Sequence, residues 1–238
     1  MQASIPVCSG AGSSECDGRP GRTHDDVGSG RRTFIETARR AQIVRAAIDT
    51  IAALGYANAS YAQIAKRAGL SSTGLISYHF QSKDELIEQV VAEVVAAGQA
   101  YQAPRVEVAD GARGKLRAYI ESNIEFMAAH PAHITAVAYV LAALPRERSG
   151  QPAPYADLHE RGIALLERYM RQGQRSRELR RFDTRVMALA IRAAIDAIAY
   201  EIATGPELDL SVTARELGQL FDHAMRSRPD STNRRRTR

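Results

Sequence analysis

The chain has 238 residues, 45% of them hydrophobic, a formal net charge of +5 and no tryptophan. That length allows one domain or two with a sizeable core, and the Ala-rich, aromatic-poor composition suits packed helices rather than sheets. No apolar run reaches the roughly 18 residues of a membrane span, and the N-terminus lacks the basic-then-apolar start of a signal peptide.

The excess charge says little about a polyanion partner once it is located. Residues 31–97 carry eight Lys or Arg against six Asp or Glu, residues 98–225 carry sixteen against sixteen, and residues 226–238 carry six Arg against one Asp. Most of the excess therefore sits in the tail. Cys8 and Cys16 both lie near the N-terminus, with no partners at zinc-finger spacing, so a reducing cytoplasm is expected and no metal.

In chain order, residues 1–30 are rich in Gly, Ser and Asp without hydrophobic period, a composition that predicts disorder. Arg19 and Arg22 there, with Arg31 and Arg32 directly after, read either as an arm for a minor groove or as a passive extension, or as the product of a misassigned start codon. Thr33 to Leu54 is a helix, with Ile43, Ala47, Ile51 and Leu54 on one stripe and Gly55 as its stop. Arg39, Arg40 and Arg45 on it could touch phosphate or form a solvated face.

Ser60 caps the next helix, with Gln63 at the capping-box position, and Gly69 ends it. Ser71 or Ser72 can cap a helix that runs to about His79. Ser82, with Glu85 three residues on, caps a third that runs from Lys83 to about Ala100. Helix, glycine-containing turn, helix is the helix-turn-helix pattern, whose second helix enters the major groove. A loop at residues 103–110, broken by Pro104, marks the expected domain boundary.

Helices are then expected over residues 115–130, 132–144 and 156–172. A proline-rich loop at 145–154 precedes the third of these, and an arginine-rich connection follows it. Asp183 caps a helix to about Thr204. That helix is apolar over most of its circumference and so must be buried. Ser211 caps the last helix, with Ala214, Leu217, Phe221 and Ala224 on one stripe, and residues 228–238 form a basic tail for which disorder is expected. No segment alternates with period two, so the fold class is all-α.

Ile64-Ala65, Ala68-Gly69-Leu70-Ser71, Tyr78-His79-Phe80 and Lys83-Asp84-Glu85-Leu86 resemble the DNA-binding segment of the tetracycline-repressor (TetR) family. The resemblance covers roughly residues 32–95, and the remainder only by length and helical character. It implies a helix-turn-helix domain with its linker helix over residues 31–97 and a helical ligand-binding and dimerisation domain over 98–227. The interval from Gly69 to Phe80 is one residue longer than the family's commonest spacing. One extra residue turns a helix by about 100° and changes which side chains face the bases.

With the resemblance, double-stranded operator DNA is the expected partner. Ser60, Tyr61, Ser71, Ser72, Thr73, Gly74, Leu75, Ser77, Tyr78, His79 and Lys83 are the expected contacts. Hydroxyls and helix N-termini suit phosphates, and short side chains permit close approach to base edges. No Arg, Asn or Gln lies within residues 72–78 for bidentate base contacts, so backbone contacts and DNA shape would carry much of the affinity.

The resemblance also implies a small-molecule effector in the helical body. Phe126, Met127, His130, His133, Tyr139, Tyr155, His159 and Tyr169 are candidate lining groups, against the alternative of core packing for the aromatics and surface for the histidines. It implies a homodimer through the two C-terminal helices, with Ile191, Ala194, Ile198, Leu217, Phe221 and Ala224 at the interface. No catalytic residue and no cofactor is expected, since no metalloprotease set, nucleophile elbow or glycine-rich phosphate loop occurs. The expected function is a ligand-responsive regulator that represses transcription until effector binds. An activator of the same fold is the alternative, and a helical ligand-binding protein or enzyme without DNA binding is a further one.

Overall fold

The structure, a computed structural model, describes residues 26–143, 156–205 and 208–227. The expected basic tail, the proline-rich loop, Arg19, Arg22 and Tyr155 lie outside the described residues. The chain divides into two units between Thr37 and Ala38; of the first, the described part is helical.

Nine helices follow one another among the described residues: α1 (Asp26–Leu54), α2 (Tyr61–Arg67), α3 (Gly74–His79), α4 (Lys83–Glu107), α5 (Gly111–Ala129), α6 (Pro131–Ala143), α7 (Ala156–Arg175), α8 (Thr184–Thr204) and α9 (Leu210–Met225). Helix α1 starts ahead of the expected Thr33. Gly28 and Gly30 disfavour helix and no apolar period announces that start. No single described helix is long and apolar enough to cross a membrane.

Helix ends mostly follow the sequence signals. Gly55 and Gly69 adopt φ of +78° and +65°, as the stops of α1 and α2 require. The α2 stop is a Schellman motif: the Gly69 N–H donates to the Lys66 carbonyl at 3.2 Å and the Leu70 N–H to the Ala65 carbonyl at 2.9 Å. Asp183 caps α8, accepting from the Arg185 and Val186 N–H groups. At α9 the cap is Asp209 rather than Ser211; its Oδ1 accepts from the Ser211 and Val212 N–H groups and from the Ser211 hydroxyl. A carboxylate competes better than a hydroxyl for those donors.

The boundary expected at residues 97–98 falls inside α4, which continues through Pro104 to Glu107. Packing overrides the helix-breaking tendency of proline there. Val106 is buried, and the Arg105 guanidinium stacks 3.7 Å from the centroid of the Tyr101 ring. Helix α5 packs on α4, α7 and α9, and α8 packs on α6 and α7. Arg113 on α5 makes a two-pronged pair with Asp222 on α9, at 2.8 and 2.7 Å, which fixes their relative register.

Candidate nucleic-acid interface

The head is built on a short apolar cluster. Ile43, Ala47 and Ile51 from α1, Ile64 and Ala65 from α2, Ile76 from α3, then Phe80 and Leu86 are all buried. Two of these fix the reading element. Ile76 faces inward from the middle of α3 and Phe80 anchors its end, so the residues between and before them turn outward.

Helix α3 has six residues, and Ser71, Ser72 and Thr73 precede it as non-helical chain. Neither Ser71 nor Ser72 caps it. Thr73 holds the N-cap position in α-helical geometry, without a side-chain cap bond. Ser71, Ser72, Thr73, Gly74 and Ser77 are exposed, and Leu75 is half-buried. Tyr78 is the most prominent group, 78% exposed at the end of the helix. Its ring stands edge-on to His79, centroids 5.0 Å apart. His79 itself is half-buried and its Nδ1 has no hydrogen-bond partner among the described residues.

The flanking helix starts present the expected hydroxyl caps. Ser60 Oγ accepts from the Gln63 N–H at 3.3 Å, and Ser82 Oγ accepts from the Glu85 N–H at 3.1 Å. The second box is displaced by one residue: Glu85 accepts from the Gln81 N–H at 2.6 Å, one position ahead of the cap. That bond, then the Arg40 guanidinium, holds the Glu85 carboxyl below its ordinary range. Burial pushes the Tyr61 phenol up, with Glu85 and Asp84 adding to it, so Tyr61 remains a neutral donor at the start of α2. Lys83 lies over the Tyr56 ring at 4.7 Å, half-buried beside the start of α4.

Arg40, one of the candidate phosphate ligands, is committed inside the head instead. It donates to the His79 carbonyl and to Glu85 Oε1 at 3.0 Å, and its guanidinium lies 4.2 Å from the Phe80 centroid. One side chain from α1 thus clamps the end of α3 to the start of α4. Arg39 is drawn toward Gln42 at 2.8 Å, whose amide in turn donates to the Ala68 carbonyl at 2.7 Å. Arg45 stays exposed. Nothing in the sequence distinguishes Arg40 from Arg39 and Arg45, since the groups that engage it are 39 and 45 residues away.

Residues 43–90 match the family described as bacterial regulatory proteins, tetR family. The head is a TetR-family DNA-binding domain. Over 95 residues the chain is 38% identical to the HTH-type transcriptional regulator BetI of Stenotrophomonas maltophilia, which takes in 38% of this chain and 46% of that protein. The chain thus spans about half the length of the curated relatives it matches. Likeness in fold extends beyond the TetR head. A protein of Saccharomonospora viridis, described as a transcriptional regulator in complex with choline, superposes with a TM-score of 0.68 at 22% identity, over 81% of this chain and 100% of that one. The fatty acid degradation regulator FadR of Bacillus halodurans gives a TM-score of 0.67 at 21% identity, over 80% and 97%. An all-α chain with a TetR head followed by a helical body is the shared architecture.

The candidate ligand residues do not gather in one place. Phe126 and His130 meet with centroids 4.7 Å apart, joined by Tyr101 at 5.7 Å from Phe126 and His133 at 5.2 Å from His130. Gly98 permits this, because a Cβ there would meet the Phe126 ring at 3.4 Å. Met127 is buried beside them and Tyr139 is half-buried on α6. Tyr169 lies toward the other end of α5, its ring 5.9 Å from Lys115 Nζ, and His159 is exposed with Nδ1 3.9 Å from Asp196. Lys115 and His130 are separated by about 22 Å of helix rise along α5.

The sequence reading missed the polar centre of the body. Arg192 on α8 donates to the Tyr119 hydroxyl at 3.3 Å and to Asp196 at 2.6 Å, and its buried Nε has no partner among the described residues. Ser122 and Asn123 are buried one turn further along α5, both donating to the Tyr119 carbonyl.

The expected dimer residues also divide. Ile191 and Phe221 are buried in the protomer's own core, while Ala194, Ile198, Leu217 and Ala224 are half-buried. The exposed apolar stripe on α8 is Val186, Leu189, Ala193, Ala197 and Tyr200, and on α9 Val212 and Leu220 are exposed.

Proposed function

We propose that this chain is a dimeric, ligand-responsive transcriptional regulator that binds operator DNA through α3 and its flanking helix starts. The observation that carries the reading is the outward set Ser72, Thr73, Ser77 and Tyr78, held on a TetR head whose inward set Ile76 and Phe80 is buried. A 78%-exposed tyrosine between a hydroxyl-rich rod and two capped helix starts suits phosphate and sugar contacts. Repression relieved by effector is the proposed mode. Effector would favour a dimer whose heads no longer match successive major grooves, about 34 Å apart or a multiple of it.

The ligand side is supported by Arg192, whose unsatisfied, buried N–H in the middle of the body is a group that a ligand acceptor would complete. The dimer is supported by the unpartnered stripe from Val186 to Tyr200, which a second copy would cover about a two-fold axis. A location in the cytoplasm follows from the same reading. The test is a footprint of the full chain on its own upstream DNA. Protection of two half-sites spaced by whole helical turns is expected, whereas a chain indifferent to every fragment would overturn the proposal. A promoter fusion with and without the gene separates repression from activation.

A further inference from the structure

We infer that the corner between α7 and α8 is a binding site for a small polyphosphate, separate from the head and from the effector region of the body. Residues 171–182 contain five arginines, and all five line one cavity of ≈ 680 Å³: Arg171, Arg175, Arg177, Arg180 and Arg181, with Gln174 beside them. That volume lies within the roughly 300–1,000 Å³ of small-molecule sites. Guanidinium groups are planar forks that match phosphate oxygens two at a time. Even the three that no protein group engages offer six prongs against the four oxygens of one phosphate group, so the geometry favours a chain of two or more.

The segment's single acidic residue is turned away. Glu178 accepts from the Ala112 N–H at 2.8 Å and the Ser176 hydroxyl at 2.7 Å, which places its carboxylate on the start of α5 and outside the cavity lining. Arg171 pairs with Glu167 at 3.0 Å and Arg180 spends its Nε on the Ala224 carbonyl at 2.7 Å. The side chains of Arg175, Arg177 and Arg181 have neither an acidic partner nor a hydrogen bond among the described residues. Three charges are therefore gathered without compensation, and an anion supplies it.

The wall is fixed before any ligand arrives. The Arg180 N–H donates to the Met225 carbonyl at 3.0 Å, the Ser227 N–H donates to the Glu178 carbonyl at 3.2 Å, and the Gln174 amide donates to the Phe182 carbonyl at 2.9 Å. Gly173 is buried where a Cβ would stand 2.6 Å from Leu179 and 2.7 Å from Ala112, so the corner closes only over glycine. Arg177 takes φ of +62°, a left-handed conformation held by this bonding.

The position argues for a small molecule over the operator. Glu178 docks on the first turn of α5, three residues beyond the end of α4, and α4 starts at the head. A helix of that length spans about 37 Å, so a duplex seated on α3 lies at the opposite end.

The test is titration calorimetry of the full chain with inorganic tripolyphosphate at low salt, with orthophosphate in parallel; it needs no operator and stands apart from the regulatory reading. Binding of one tripolyphosphate per chain, with orthophosphate at least tenfold weaker, is expected. The double change Arg175→Ala with Arg181→Ala should weaken tripolyphosphate at least tenfold. The fold should survive, because neither side chain bonds to the protein, and a melting curve checks this. Arg175→Lys with Arg181→Lys keeps the charge, loses the fork and should give an intermediate loss. Removing two charges elsewhere, Arg161→Ala with Arg215→Ala, should change nothing. No binding, equal affinity for both anions, or equal losses in the two alanine pairs would overturn the proposal. So would displacement of tripolyphosphate by an operator-free DNA duplex at equal phosphate concentration, which would make the corner a nucleic-acid surface.

Discussion

Arg40→Ala separates a structural clamp from a phosphate contact within the head. The side chain makes three interactions: a charged hydrogen bond to the His79 carbonyl, an ion pair with Glu85, and a stack over Phe80. The hydrogen bond carries a charged donor and is worth about 1.5–3 kcal/mol. The ion pair adds only about 0.2–0.5 kcal/mol, since its two side chains are 34% and 35% exposed and water screens them. The stack adds about 0.5 kcal/mol. Together the loss is about 2–4 kcal/mol, which for a unit of this size lowers Tm by about 4–16 °C in a calorimetric scan. Freeing the end of α3 should also weaken operator binding by roughly tenfold, equivalent to about 1.4 kcal/mol of reordering. The discriminating measurement is the slope of log K against log salt. A clamp leaves it unchanged, whereas loss of one phosphate contact in each protomer of a dimer reduces its magnitude by about 1.8. A variant with parental Tm and a shallower slope would refute the clamp and return Arg40 to the DNA face.

Three further outcomes are expected. Lys83→Ala should flatten the salt slope by about 1.8, one contact per protomer, while Tyr78→Ala weakens binding to all sequences by roughly tenfold with the slope retained, both read by fluorescence anisotropy across a salt series; parental affinity in Tyr78→Ala would refute its backbone role. Leu189→Asp with Tyr200→Asp should halve the particle mass in light scattering at unchanged helicity, because the stripe is exposed in the protomer; a persistent dimer would place the interface elsewhere. Burial, reinforced by His130, lowers the His133 pKa against the opposing pull of Asp49 on α1 and Glu93 on α4. A His depressed in the folded state contributes stability that is complete above its unfolded value of about 6.5 and is lost as pH falls through the folded value. Tm should therefore drop on acidification below about pH 6.5, and less so in His133→Asn; an identical acid profile in that variant would refute the assignment.

The head was legible because its signals are local. Ser60, Gly69 and Ser82 act on backbone groups within a turn, and the structure returns each in its expected role. The Ile64, Ile76 and Phe80 positions follow from the same short segment. What the sequence could not order was the stretch before α3. Three consecutive hydroxyl residues, Ser71, Ser72 and Thr73, offer equivalent caps, and the choice is made by burial of Ile76 and Phe80 further along. The Arg40 clamp was illegible for the opposite reason: its partners are distant in sequence and one of them is a backbone carbonyl, which no residue type announces.

In the body the failure was one of register, and a glycine caused it. The stripe read on α9, Ala214, Leu217, Phe221 and Ala224, assumes that the inward face is the apolar one. The buried set is Ala214, Gly218, Phe221 and Met225, with Leu217 and Ala224 only half-buried. Gly218 counts as a break in a hydrophobic pattern, yet it lies on the face turned to α5, where a Cβ would stand 2.9 Å from Glu121 Oε1. Gly218 is buried on that face, and periodicity weights its missing side chain as polar. Phe221 belongs to both sets, and Leu220 lies outside both. On α8, apolar residues on nearly every face hide the split between Ile191 and Ile195, which are fully buried, and Val186, Leu189 and Tyr200, which are exposed. A helix that packs on its own core on one side and keeps a second apolar face exposed carries two stripes, and sequence alone gives their sum.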